Sequence, residues 1–298
     1  MDRTAMPDND ELNTNTSAEE PHEPGEPDAP HRPRRRRSVI RAAVLGPLLV
    51  ASLLPMGLVH VVLTRSPVPS HRYAMTRLWY RFALRVVGLR VIREGGPTRG
   101  RPLLLLANHV SWTDILVLGA TVPGCFVAKA DMEDWPAIGF LTRFTRSIFV
   151  KRDDPRKVGE QTREIGDRLR GGEPVILFPE GTTAAGTQLK PFKSSLLGAV
   201  RLALPSEDTA MTIQTAALAY VRRGGAPMDA DDRRSYAAWI DDEDFAPHLT
   251  SVLFGPPMTV RLIFGDHFEA GHGTDRKHLT RRAEGDIATL LDRGLAEG

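Results

Sequence analysis

Two short stretches hold residues able to do chemistry. The first is Asn108-His109-Val110-Ser111-Trp112-Thr113-Asp114, directly after four leucines, Leu103 to Leu106. The leucine run reads as a buried strand entering a polar turn, and the exit of a buried strand is where α/β sheets usually carry chemistry. An imidazole can take a proton from an alcohol near neutral pH. A carboxylate on its other ring nitrogen fixes the tautomer and stabilises the cation that forms. Five residues apart on one helix would place the two groups about 140° apart in projection. The pair therefore meets only if His109 lies in the turn and Asp114 in the first helical turn, with Ser111 or Thr113 helping to cap that helix. The bland alternative is a surface histidine beside an acid at a helix N-terminus.

The second stretch, Phe178-Pro179-Glu180-Gly181-Thr182-Thr183, also follows an apolar run, Val175-Ile176-Leu177. Pro179 fixes φ and Gly181 permits positive φ, so Glu180 is held at a rigid turn. Its carboxylate suits a substrate hydroxyl or a basic side chain; a tight turn with a solvated glutamate is the plainer reading. Cys125 is the single cysteine, which excludes an internal disulfide and a cysteine-based metal site. No metal ligand set and no redox cofactor are expected.

These stretches need elements to position them. After Gly95-Gly96, strand candidates at Leu103–Leu106, Phe126–Ala128, Ile148–Val150, Val175–Phe178, Ile213–Tyr220 and Met258–Phe264 alternate with helical patterns. Val158, Ile165 and Leu169 mark a helix stopped by Gly171-Gly172; Leu196–Leu204, stopped by Pro205, and Leu279–Leu291 mark two more. The alternation predicts an α/β fold, a mixed, mostly parallel sheet covered by helices. Residues 222–247 read as a polar insertion or flap.

The N-terminal third is different. Residues 1–38 are rich in Pro, Glu, Asp, Asn and Ser and are expected to be a disordered tail. The net charge of +2 hides an acidic stretch over residues 1–30 followed by six arginines in 31–41. Those arginines flank an apolar segment, Ala42–Leu63, so the basic charge points to an anionic membrane surface and not to nucleic acid. Pro47 and Pro55 interrupt that segment, and arginines stand on both sides of it. The positive-inside rule then favours a bent segment dipping into one leaflet over a simple span. Met75, Leu78, Trp79, Phe82 and Val86 share one face of a following helix, read as interfacial. The chain divides into a tail (1–38), membrane-associated helices (39–94) and an α/β domain (95–298).

Taken together, Asn108-His109-x-Ser111-x-x-Asp114 and Phe178-Pro179-Glu180-Gly181-Thr182 resemble the motifs of the glycerolipid acyltransferase family, the lysophosphatidic acid acyltransferases and their relatives. The resemblance covers residues 75–265. It implies that His109 is a general base partnered by Asp114, and that acyl-CoA or acyl carrier protein is the donor, with no other cofactor. Ile148-Phe149-Val150-Lys151-Arg152 matches a further family motif. By resemblance Arg152 holds the acceptor's anionic headgroup, which suits a planar guanidinium. Glu180, Gly181 and Thr182 would contact substrate, and Lys193 is another anion-binding candidate. The fourth motif usually carries a proline where this chain has Thr215.

The family's commonest reaction, acylation of 1-acylglycerol-3-phosphate to phosphatidic acid, is the leading expectation. Leu189-Lys190-Pro191-Phe192-Lys193-Ser194-Ser195 and the stretch ending Phe245-Ala246-Pro247-His248 resemble instead the bacterial branch that acylates lyso-ornithine lipid. The implied location is the inner membrane, with the catalytic domain on its cytoplasmic face. An α/β hydrolase would need a Gly-x-Ser-x-Gly elbow, which is absent from the sequence. A non-catalytic membrane adaptor would not need His109, Asp114 and Glu180 together.

Overall fold

The computed structural model describes residues 32–63, 65, 69–99, 103–129, 145–150, 155–198, 204, 210–240 and 243–298. The leucine run forms strand β2, Leu103–Ala107, buried at every position. A strand that is apolar on both faces requires a helical layer on each side. The other strands are β1 (Leu89–Glu94), β3 (Cys125–Lys129), β4 (Ile148–Val150), β5 (Val175–Leu177), β6 (Ala210–Arg223), β7 (Ala226–Pro227) and β8 (Met258–Gly271). They form one sheet in the order β1-β8-β6-β2-β5-β3-β4, with β7 paired to β6. β4, β3, β5, β2 and β6 run parallel, β8 is antiparallel to β6, and β1 is parallel to β8. The sheet is mixed and mostly parallel, as the alternation predicted.

The helices are α1 (Arg32–Leu63), α2 (Ala74–Val87), α3 (Thr113–Thr121), α4 (Pro155–Arg170), α5 (Phe245–Phe254) and α6 (Arg276–Ala296), with shorter helical turns between. Leu104 and Leu106 point into a core with Ile165 and Leu169 of α4 and Leu279, Ala283 and Ile287 of α6. Leu105 and Ala107 point the other way, among Trp79, Tyr80 and Leu84 of α2 and Leu116 and Val117 of α3. Alternate residues of one strand thus fill two cores, and the strand cannot slip by one position without exchanging them.

Three N-terminal expectations are corrected. The helix begins at Arg32, inside the segment read as tail; residues 1–31 lie outside the described residues. Pro33 stands at the helix start, where its missing N–H is no loss. α1 then runs as one helix through Pro47 and Pro55. Leu89–Glu94, assigned by sequence to the helical segment, is the edge strand β1. Gly88, at φ 74°, ends α2 in the left-handed conformation and frees the chain to extend. Finally, the apolar face of α2 read as interfacial is core: Trp79 and Val86 are buried, and only Leu78 of that set is exposed.

α1 also lies against this domain. Ser38, Ala42 and His60 are buried, and Leu49, Leu53 and Met56 pack on the core containing α2. The Arg41 guanidinium donates to Val86 O at 2.9 Å and to Leu253 O at 3.0 Å, the C-terminal carbonyls of α2 and α5. Cations suit those ends of helices. The opposite face of α1 exposes Val44, Leu54, Leu58 and Val62, and Ser38–Leu63 is long and apolar enough to cross a membrane by length and composition.

Candidate active site

β2 ends at Ala107 beside Ala216 of β6. The next residue, Asn108, extends the pairing with its side chain: Oδ1 accepts the Leu218 N–H at 2.7 Å and Nδ2 donates to Leu218 O at 3.1 Å. That fixes where the turn leaves the sheet. His109 follows in the turn, and Asp114 is the second residue of α3, the arrangement that the five-residue spacing required. His109 Nδ1 lies 2.9 Å from Asp114 Oδ2. The same oxygen accepts the backbone N–H groups of Val110 (2.6 Å) and Ser111 (2.8 Å). Asp114 is 0% exposed, whereas the His109 side chain is 18% exposed. An ionised carboxylate only accepts, so Nδ1 carries the proton and Nε2 presents a lone pair. The imidazole stacks on Phe178, with ring centroids 4.0 Å apart and planes at 11°. One ring face is thereby covered.

The second motif is tied to the first. Glu180 is 1% exposed; its Oε1 accepts the His109 N–H at 2.8 Å and its Oε2 accepts the Lys190 N–H at 2.7 Å. Burial pushes its carboxyl up to about 7, and the Asp114 charge adds to the effect, against the pull of the two backbone donors. The structure therefore places Glu180 between turns, with both oxygens occupied by backbone, where the sequence assigned it to substrate. Gly181 adopts φ 74°, as the turn required. Ala184 N–H donates to His109 O at 2.7 Å, a further tie between the motifs. Thr182 and the Lys193 side chain are exposed, and the Lys193 N–H donates to Pro179 O at 2.8 Å. Arg152 and Lys151 lie outside the described residues.

The 222–247 segment is ordered around the same turns where described. Trp239 N–H donates to Val110 O at 3.0 Å, and Thr183 Oγ1 donates to Trp239 O. Trp112 Nε1 donates to His248 Nδ1 of α5 at 2.9 Å, and Trp112 meets Phe245 edge-on. Sequence reading missed this tie and one other residue. Tyr220, on β6, donates its hydroxyl to Asp114 Oδ1 at 2.7 Å; nothing at 106 positions' remove marks it except that it is a polar-tipped aromatic in an apolar strand. Neither Ser111 nor Cys125 is open to a substrate as a nucleophile: both are 0% exposed, and burial pushes the Cys125 thiol up to about 12. Thr215 is also buried, with no hydrogen-bond partner for its hydroxyl among the described residues.

The acyltransferase family profile matches residues 83–219, the span that holds both motifs. The chain is 40% identical over 253 residues to a lyso-ornithine lipid O-acyltransferase of Rhizobium meliloti, covering 85% of this chain and 86% of that one. It is 29% identical to a 1-acyl-sn-glycerol-3-phosphate acyltransferase of Neisseria meningitidis, over 69% of this chain and 75% of that one. The crystal structure of the 1-acyl-sn-glycerophosphate acyltransferase PlsC from Thermotoga maritima superposes with a TM-score of 0.61 at 17% identity, covering 87% of this chain and 97% of that one. At that identity the likeness concerns the fold.

Proposed function

Because this chain belongs to the glycerolipid acyltransferase family, we propose that it moves a fatty acyl group from an acyl thioester to the free hydroxyl of a lyso-lipid. His109 is the general base in this reading, and lyso-ornithine lipid is the acceptor. The observation that carries it is the pair itself: a partly exposed imidazole whose Nδ1 is held 2.9 Å from a buried carboxylate. His109 Nε2 takes the proton of the acceptor hydroxyl, and the oxygen attacks the thioester carbonyl. The C–S bond breaks, and the departing thiolate takes the proton back from the imidazolium. The thioester is already activated, so the step needs a base and a hydrogen-bond donor for the oxyanion that develops on the carbonyl.

The acceptor assignment leans on the Rhizobium relative, which is nearer in sequence than the glycerol-phosphate one. Arg152 is proposed to hold the ornithine carboxylate, with Lys193 and the Gly181-Thr182 turn close to the headgroup. Acyl-CoA or acyl carrier protein supplies the thioester. The name of the Neisseria relative supports a second reading, with 1-acylglycerol-3-phosphate as acceptor and the same base. The outward apolar face of α1, with basic flanks, supports a seat in one leaflet of the inner membrane from its cytoplasmic side.

The test is acyl transfer by the purified full chain with both lyso-lipids, side by side, using a labelled acyl thioester. Faster acylation of lyso-ornithine lipid is expected; preference for 1-acylglycerol-3-phosphate moves the assignment to the second reading, and no ester from either acceptor overturns both.

A further inference from the structure

We propose that Tyr220 is a positioning residue of this site, its hydroxyl holding Asp114 as the carboxylate that orients His109. The inference rests on the base reading above and extends it to the opposite side of the sheet pairing.

β6 outruns β2. Where β2 ends opposite Ala216, β6 continues to Arg223 and carries Tyr220 over the first turn. The backbone there is pinned twice: Asn108 grips Leu218, and Arg233 Nε donates to Tyr220 O at 2.9 Å. The side chain points to the layer of α3, packed in the same core as Leu116 and Val117, and is 0% exposed. Its Oη lies 2.7 Å from Asp114 Oδ1 and 2.6 Å from Thr113 Oγ1.

Proton directions follow from the acceptor. Asp114 as a carboxylate has no proton to give, so Tyr220 donates to Oδ1 and Thr113 donates to Tyr220. Burial first, and the Asp114 charge second, hold the Tyr220 phenol well above its ordinary value, so it remains a donor. The donors on Asp114 are unevenly shared. His109, Val110 and Ser111 all bond Oδ2, while among the described residues Oδ1 has Tyr220. Without that hydroxyl a fully buried carboxylate oxygen would lose its donor.

Two effects should follow. The carboxylate loses its anchor on Oδ1, so the imidazole is oriented less firmly and kcat falls. Its charge also becomes less dispersed, so the His109–Asp114 pair holds its proton more tightly and the acidic limb of the rate profile moves up. Among the described residues, the other titratable or charged groups around the pair are Glu180, behind the His109 backbone, Lys190, whose charge acts on Glu180, and Arg233, on the Tyr220 carbonyl. Their titration is common to wild type and variant, so the difference between the two profiles isolates Tyr220.

The test is Tyr220→Phe, measured as kcat, acceptor KM and the pH profile of kcat/KM, beside wild type and His109→Ala. Expected are a fall in kcat of roughly tenfold, as for one hydrogen bond to a charged group, an unchanged acceptor KM, and an upward shift of the acidic limb by roughly 0.5–1 pH unit. A merely structural tyrosine would lower thermal stability and leave the limb in place; that result overturns the proposal. Should Tyr220→Phe fail to fold, 3-fluorotyrosine placed at position 220 decides. It is the stronger donor and should move the limb downward; an unmoved or raised limb overturns the proposal. If His109→Ala is inactive while neither Tyr220 protein moves the limb, this inference alone fails. If His109→Ala keeps wild-type activity, the base reading fails first and takes the inference with it.

Discussion

Replacing Glu180 by Gln should destabilise this protein most in mild acid and least above neutrality, the reverse of the usual behaviour of a hydrogen-bonded carboxylate. The reason is the balance at its site. Burial lifts the carboxyl from an ordinary 4.5 to about 7. Between those values the folded chain keeps a proton that the unfolded chain has lost, so stability falls as pH rises through this window. The effect amounts to about 3 kcal/mol over the whole range. Gln does not titrate. It does turn one of the two acceptors that serve the His109 and Lys190 N–H groups into a donor, leaving a backbone N–H unmatched at about 1–3 kcal/mol. The variant should therefore melt below wild type at pH 5, and the gap should close by pH 8. The assay is thermal unfolding in detergent at intervals from pH 5 to 8, where about 1 kcal/mol corresponds to roughly 2–4 °C. A gap that stays constant or widens with pH would refute the reasoning, because it would mean a carboxylate already ionised throughout.

Glu173, 2% exposed, receives Tyr73 Oη and the guanidinium groups of Arg72, Arg146 and Arg168. Glu173→Ala leaves those cations facing one another and should cost about 3–5 kcal/mol in thermal or denaturant unfolding; a loss below about 1 kcal/mol would contradict the reading of these contacts. Arg41→Ala removes the donor shared by the ends of α2 and α5 and should lower stability by about 1.5–3 kcal/mol, which an unchanged melting temperature would refute. Thr215→Val removes a buried hydroxyl lacking a described partner, so stability should hold or rise by up to about 1 kcal/mol; a clear drop would reveal a bond to that hydroxyl.

Much of the site was legible in the sequence because its parts are local. The spacing of His109 and Asp114 admitted one arrangement, a turn followed by a helix, and that arrangement is the one found. The apolar runs located six strands, since a strand buried on both faces leaves a continuous signature. What stayed hidden depends on pairing between distant segments. Tyr220 reaches Asp114 only because β6 pairs with β2 in a register that carries it past the strand end. Glu180 looked like a group for substrate because a backbone partner has no sequence signature; its two N–H donors belong to residues 71 positions before and 10 after. β1 was missed because its alternation is weak, with charged Arg90, Arg93 and Glu94 around Val91 and Ile92. α2 was read as interfacial because a helix covering a sheet and a helix lying on a bilayer show the same amphipathic period.

The claim beneath these arguments is that His109 draws the proton from the acceptor hydroxyl. Acyl transfer by full-length His109→Ala, shown by its melting temperature to be folded, tests it most directly. The account predicts a rate lower by roughly a hundredfold to ten-thousandfold; transfer at the wild-type rate would contradict it.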